Sequence, residues 1–343
     1  MKRALLVLAC LAAPAHANVW QQAIDRGSPD PAQDVYDSEM KGGDELAMQA
    51  NAKGASLKTI RQLVDRAVLS YRNAAAAKPN APEPYYRIGR VLYSFYFECE
   101  DSISPTNSSP LCDRRPHDNT LFDRKHAQEI VDAWDELEKR APLDPRLSVH
   151  LGDSEILFKR AILNTKLVTK DHLEAAARDY EKILERSDTT DSADETVWSN
   201  LAETYMMLGR LEDAIDMYHE AIRRGASTST MYGLAVALDR DERTAAARDV
   251  IQSQGMIALQ AFQESVMTGR TFFVPYGEQF YYFALAHESF DDVDLAIEYW
   301  QKYIQSGAHP EFQPRAKAHL AALAAKRHPI PKAPWDDLLT PGH

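Results

Sequence analysis

Few side chains in this sequence stand at the spacings that catalysis or metal binding demands. The 11 histidines are scattered, and none forms an H-E-x-x-H motif or an i,i+4 pair that could hold zinc from one helix face. His287-Glu288 begins such a motif, but Phe290 and Asp291 follow instead of a second histidine. No G-x-S-x-G nucleophile elbow and no Walker loop occurs, and glycines are too sparse for a dinucleotide cradle. Asp291-Asp292 and Asp336-Asp337 are adjacent carboxylates in loop or tail positions, where solvated charge is expected rather than acid–base work. No carboxylate pair is singled out as catalytic. The reading is therefore of a non-enzymatic chain with no cofactor and no metal.

Two clusters remain. Cys99 and Cys112 flank a loop rich in Ser, Pro and Asn, and a disulfide between them would be worth about 3 kcal/mol on the chain-entropy model. Residues 272–283 read FFVPYGEQFYYF, an aromatic run that could join two helices in a core or line a ligand pocket containing Tyr276 and Tyr281.

The ends bound the setting. Lys2 and Arg3, an apolar stretch from Ala4 to Ala13 and Ala15-His16-Ala17 have the form of a secretory signal peptide over residues 1–17, cleaved after Ala17. A competing reading makes Cys10 the acylated cysteine of a lipoprotein. Ten apolar residues fall short of the ~20 that span a bilayer, so no transmembrane segment is expected. The location expected is periplasmic or secreted, where a pair of cysteines favours a disulfide. The formal net charge of −12 becomes −14 once Lys2 and Arg3 leave with the signal. That sign disfavours nucleic acid as a partner.

The elements that organise the rest are helical pairs. Trp198, Leu201, Ala202 and Tyr205 are followed by Ala214, Tyr218 and Ala221. Small residues stand where two helices must approach closely, and large ones fill the space between. This pattern resembles the tetratricopeptide repeat, a helix–turn–helix unit of about 34 residues. The register recurs along the chain. Ala67, Tyr71 and Ala74 are answered by Tyr85, Ile88, Gly89 and Leu92, then by Trp134 after an insertion at 99–120. Ser148, Leu151 and Gly152 open a third unit, whose second helix carries Ala176, Tyr180 and Ile183 after a shorter insertion. Leu234, Ala235 and Ala247 mark a fifth, with an extra helix over 256–267, and Phe280, Phe283, Ala284, Ala296 and Trp300 mark a sixth. His287 takes a slot usually held by tyrosine and is expected to pack between helices.

The resemblance implies an all-α fold, an α-solenoid of antiparallel helix pairs winding as a right-handed superhelix. It would comprise a loosely structured segment at 18–55 with one helix near 45–52, about six units over 56–327, and an extended tail at 328–343. The last helix, from Pro314, is expected to be a solvating cap with a basic side that includes Arg315. The resemblance also implies a scaffold that holds a protein or peptide partner in a concave groove. Carried over onto this sequence, the groove positions include Tyr86, Arg90, Tyr93, Asp153, Glu203, Met206, Met207, Tyr232 and Tyr281. A clamp for a chain-terminal carboxylate is not expected, because Asn200 alone matches it while Asp153 and Glu203 replace amides or cations.

Overall fold

The computed structural model describes residues 30–52, 55–97, 122–147, 155–186, 195–225, 227–268, 271 and 273–326. Among these the regular elements are helices, apart from short 3-10 turns at Pro145–Leu147, Tyr276–Glu278 and Pro310–Phe312. In chain order the helices are α1 (Pro31–Ala50), α2 (Leu57–Ala77), α3 (Glu83–Tyr96), α4 (Arg124–Arg140), α5 (Glu155–Leu167), α6 (Lys170–Arg186) and α7 (Glu195–Met207). They continue with α8 (Leu211–Arg224), α9 (Thr228–Arg240), α10 (Thr244–Met267), α11 (Gln279–Ser289), α12 (Val293–Ser306) and α13 (Gln313–Lys326). The chain divides into two compact units, 1–87 and 88–343. Residues 1–17, the insertion with Cys99 and Cys112, Asp153 and the tail at 328–343 lie outside the described residues. No helix of the described residues is long and apolar enough to cross a membrane.

In the first unit, Pro31–Ala50, within the segment 18–55 expected to be loose apart from one helix near 45–52, forms the 20-residue helix α1, packed on α2. Asp30 caps it by accepting from the Ala32 amide at 3.0 Å, and Pro31 takes the first helical position, where a missing N–H costs nothing. Within α1, Gly43 is a point of close approach, since a Cβ there would lie 2.5 Å from the Tyr71 ring of α2. The Tyr71 hydroxyl donates to Asp44 at 2.7 Å, one residue further along α1.

In the second unit each helix from α4 to α13 packs on the next in unbroken succession. The small residues of the repeat register, Ala202, Ala214, Ala221, Ala284 and Ala296, are fully buried at the crossings. Leu201, Tyr218, Trp134 and Trp300 fill the space between helices, as their spacing implied. Gly89 serves α3 as Gly43 serves α1, with the Trp134 indole pressed against its backbone.

One register expectation needs correction. The third unit has no insertion between its helices, because α5 runs to Leu167 and only Val168 and Thr169 separate it from α6. Counting back from Ala176 and Tyr180 by the spacing of Ala214 and Tyr218 then places Arg160 where the fourth unit has Trp198. The helix expected over 256–267 forms as the second half of α10, set off by a kink at Gly255 (φ 76°, ψ 168°).

Candidate functional site

The groove residues named from the repeat pattern do not share an open face. Tyr93, Met206, Met207, Tyr232 and Tyr281 are buried, while Tyr86, Arg90 and Glu203 are half-exposed. Around α7, α9 and α11 the chain covers its own inner face. The kink at Gly255 turns the second half of α10 back so that the Phe262 ring stacks on Tyr232, with centroids 4.6 Å apart. Phe273 and Tyr282 close over the same ring pair. Glu203 accepts from Tyr218 at 2.7 Å and from Tyr282 at 2.9 Å, so its carboxylate faces its own chain. In α3, the Tyr93 ring lies against Trp134 and beneath the Lys159 ammonium.

Of the aromatic run, Phe273, Tyr281, Tyr282 and Phe283 are buried in the core. Tyr281 is 0 % exposed, donates to Asp239 at 2.7 Å and meets Trp300 and Tyr303 edge-on, whereas Tyr276 is 50 % exposed. The two tyrosines do not line one pocket. His287 also packs inside, stacked on Tyr299 and bonded to Gln263 and Asp292, as its slot implied.

Buried charge gathers at three places that the repeat pattern gave no reason to single out. Arg160 on α5 forms a two-point contact with Asp179 on α6 (2.7 Å and 2.7 Å), and reaches Asp135 at 3.0 Å and Glu138 at 2.6 Å on α4. Asp239, near the end of α9, accepts from Tyr281, from Arg315 at 2.8 Å and from the His319 ring at 3.0 Å. Burial alone would raise the Asp239 carboxyl, but His319 and Arg315 outweigh it and hold the group well below the usual carboxylate range. Burial would likewise lower His319, yet its bonds to Asp239 and Glu288 push it up to about 9. The third place is the Arg240–Glu278 pair, both side chains fully buried, with the guanidinium 4.0 Å from the Phe312 ring. Burial pushes the Glu278 carboxyl up despite Arg240. Among the described residues, Arg240 Nε and Nη1 and Glu278 Oε2 have no hydrogen-bond partner. These residues tie successive helices together. Arg315 accordingly points inward rather than forming part of a solvated cap.

Next to the covered face lies a cavity of about 440 Å³. One wall is the α5–α6 turn and start of α6, with Val168, Lys170 and Leu173. The end of α7 supplies Met207 and Leu208, the segment leading into α11 supplies Pro275, and the segment after α12 supplies Gly307, His309, Pro310 and Glu311. Of the groove residues named from sequence, Met207 reaches this cavity. His309 is held on both sides, with Nε2 3.3 Å from the Val274 carbonyl and Nδ1 3.4 Å from Glu311. Burial would lower its pKa, but Glu311 and Glu278 raise it above the ordinary histidine value. Among the described residues no group of His, Cys, Asp or Glu is placed to hold a metal ion.

Fold and sequence together define an all-α helical-repeat protein built of tetratricopeptide-like helix pairs. Neither a protein-family model nor a curated relative matches the sequence. Solved structures similar to the chain include MamA 41-end from Desulfovibrio magneticus RS-1, at 14 % identity and a TM-score of 0.41, covering 66 % of this chain and 96 % of that one. YrrB, described as a TPR protein with an unusual peptide-binding site, is 14 % identical with a TM-score of 0.38, over 68 % of this chain and 98 % of its own. Pseudomonas aeruginosa PilF is 12 % identical with a TM-score of 0.39, over 87 % of this chain and 100 % of its own.

Proposed function

We propose that the protein is an exported scaffold that holds a protein or peptide partner in the cell envelope and carries out no chemistry itself. The observation that carries this reading is the unbroken stack of helix pairs from α4 to α13, each burying its apolar side on the next. Such stacks present preformed surfaces, which lower the ordering cost of a partner. The face covered by Phe262, Phe273 and Tyr282 is not available to that partner. Tyr86 and Arg90, one turn apart on α3, keep exposed surface and are the groove residues assigned to contact it. Export rests on the basic, apolar and small-residue succession of residues 1–17.

The test is crosslinked affinity capture from envelope extract, comparing the wild type with Tyr86→Ala, Arg90→Glu and Ser253→Ala. Ser253 lies on α10, outside the assigned contact. The reading expects a partner retained by Ser253→Ala and lost or strongly reduced in the two α3 variants. Equal recovery in all four proteins would remove α3 from the contact. A soluble, folded chain found in the cytosolic fraction would remove the envelope.

A further inference from the structure

We infer that the His309 ring is a proton-operated clasp. As an imidazolium it ties the segment leading into α11 to the segment after α12, and as a neutral imidazole it lets them part. The clasp does not involve Tyr86 or Arg90 and stands or falls independently of the scaffold reading.

The geometry asks for two protons on one ring. Nε2 lies 3.3 Å from the Val274 carbonyl oxygen and 3.9 Å from Glu278 Oε2, both in the segment leading into α11. Nδ1 lies 3.4 Å from Glu311 Oε1, in the segment after α12. A carbonyl and an ionised carboxylate accept hydrogen bonds and cannot donate them. A neutral imidazole has one N–H, so one side of the ring would turn a bare lone pair toward an oxygen. The imidazolium serves both sides at once. Glu278 Oε2 adds to the demand, since it is buried and has no hydrogen-bond partner among the described residues.

The charges around the ring come from several elements. Glu311 belongs to the segment of His309 itself, Glu278 to the turn before α11, and Arg240 to α9. Arg240 is already engaged by Glu278 Oε1 at 2.5 Å. Lys170 on α6 lines the cavity that His309 borders, and it pairs with Glu174 at 3.8 Å. From α12, the Tyr303 hydroxyl donates to the His309 carbonyl at 3.3 Å and holds the backbone rather than the ring. Burial and Arg240 oppose a charge on the ring, and the two carboxylates outweigh them.

The backbone is set to move when the ring lets go. His309 sits in the left-handed region (φ 40°, ψ 74°), which is uncommon for a residue with a Cβ and persists where the surroundings over-determine it. The ring contacts are part of what holds it there. Pro275 from one joined segment and Gly307, Pro310 and Glu311 from the other line the same cavity, so the clasp also fixes that wall. The sign is that of a raised histidine. The contact is complete below the unfolded value of 6.5 and is lost as pH rises through the folded one.

NMR titration of the histidine rings in the full chain tests the inference, with the His309 resonance assigned through its backbone. The ring should titrate above 6.5. Glu311→Gln should raise its acid dissociation constant about two- to fivefold, the scale of one partly exposed ion pair. Hydrogen exchange reads the clasp itself. The Glu278 and Phe312 amides bond to the Pro275 and His309 carbonyls, each at 2.9 Å. Their protection, corrected for intrinsic rate, should fall about two- to tenfold across the titration of the ring, the worth of one hydrogen bond. His309→Gln should lose the fall centred on that midpoint. Should this variant fail to fold, Glu311→Gln decides alone, by moving the fall to lower pH together with the ring. A ring that titrates at or below 6.5 overturns the inference. So does a ring unmoved by Glu311→Gln, or the same fall in a folded His309→Gln chain.

Discussion

His319 Nε2 lies 3.0 Å from Asp239 Oδ2, so a side chain of the last described helix is bonded to a fully buried carboxylate near the end of α9. The other ring nitrogen is 3.0 Å from Glu288 on α11, and the imidazole stacks on Trp300 of α12 at 4.7 Å between centroids. One histidine thus reports on four helices. Arg315, one turn earlier on α13, binds the same aspartate at 2.8 Å.

This arrangement makes the seating of α13 sensitive to alkali. The folded pKa of His319 is pushed up to about 9 from an ordinary 6.5. A raised pKa contributes stability that is complete below the unfolded value and is lost as pH rises through the folded one. Stability should therefore fall between about pH 6.5 and pH 9, by on the order of 2 kcal/mol. His319→Gln should remove that slope. Urea melts at pH 6.5 and 9.5 on both proteins check it, and identical pH slopes would refute the coupling. Asp239 has the opposite sign and, being held so low, gives way only in strong acid.

Arg160 and Asp179 make a second case. Both are buried, and they face each other through two hydrogen bonds of 2.7 Å. Removing one partner leaves a buried charge uncompensated, at a cost of about 3–5 kcal/mol. Arg160→Met alone should therefore unfold at much lower denaturant. Arg160→Met with Asp179→Leu should recover most of the loss, because two apolar side chains of similar size replace the pair. Urea midpoints of the two variants decide the matter; a double variant no more stable than the single would show that packing, not charge, is at stake.

The positions Leu201, Ala202, Tyr205, Ala214, Tyr218 and Ala221 were legible because large and small residues alternate at helical spacing and their burial follows from that alone, whereas Trp198 stays half-exposed. Arg160 was hidden for the same reason in reverse. A guanidinium in a tryptophan's slot breaks the apolar signature, although it fills the same space by pairing with Asp179. The role of Gly43 is not legible in the sequence, because glycine marks both turns and close approaches, and only the position of Tyr71 distinguishes the two. The covering of Tyr232 could not be read locally at all. It depends on whether Phe262 returns after the kink at Gly255, which is decided by contacts far along the chain.

The two glycines of α1 provide a control within one helix. A methyl at Gly43 meets the Tyr71 ring at 2.5 Å, while at Gly42 it meets only Ser70 Oγ, at 3.9 Å. Gly43→Ala should destabilise the α1–α2 pair by about 1–3 kcal/mol, as overpacking does. Gly42→Ala should stabilise it by roughly 0.5–1 kcal/mol, by lowering the backbone entropy of the unfolded chain. Hydrogen exchange of α1 amides reads both. A Gly43→Ala chain with wild-type protection would mean that Tyr71 yields freely.

The turns inside the helix pairs carry a related prediction. Gly209 (φ 75°), Glu242 (φ 62°) and Asp291 (φ 59°) occupy the same step between paired helices, and each adopts the left-handed conformation. Glycine does so at no steric cost, whereas a residue with a Cβ pays roughly 1–2 kcal/mol. Glu242 is exposed, and Arg248 bonds Asp291 through both carboxylate oxygens, so the two sites differ in what a glycine removes. Glu242→Gly should therefore raise stability, by about 0.5–1 kcal/mol after the entropy of the freer unfolded chain is subtracted. Asp291→Gly gains the same relief but loses its contact with Arg248 and should come out closer to neutral. Thermal melts of the two variants rank them, and a destabilised Glu242→Gly would show that the turn is held by the glutamate side chain rather than strained by it.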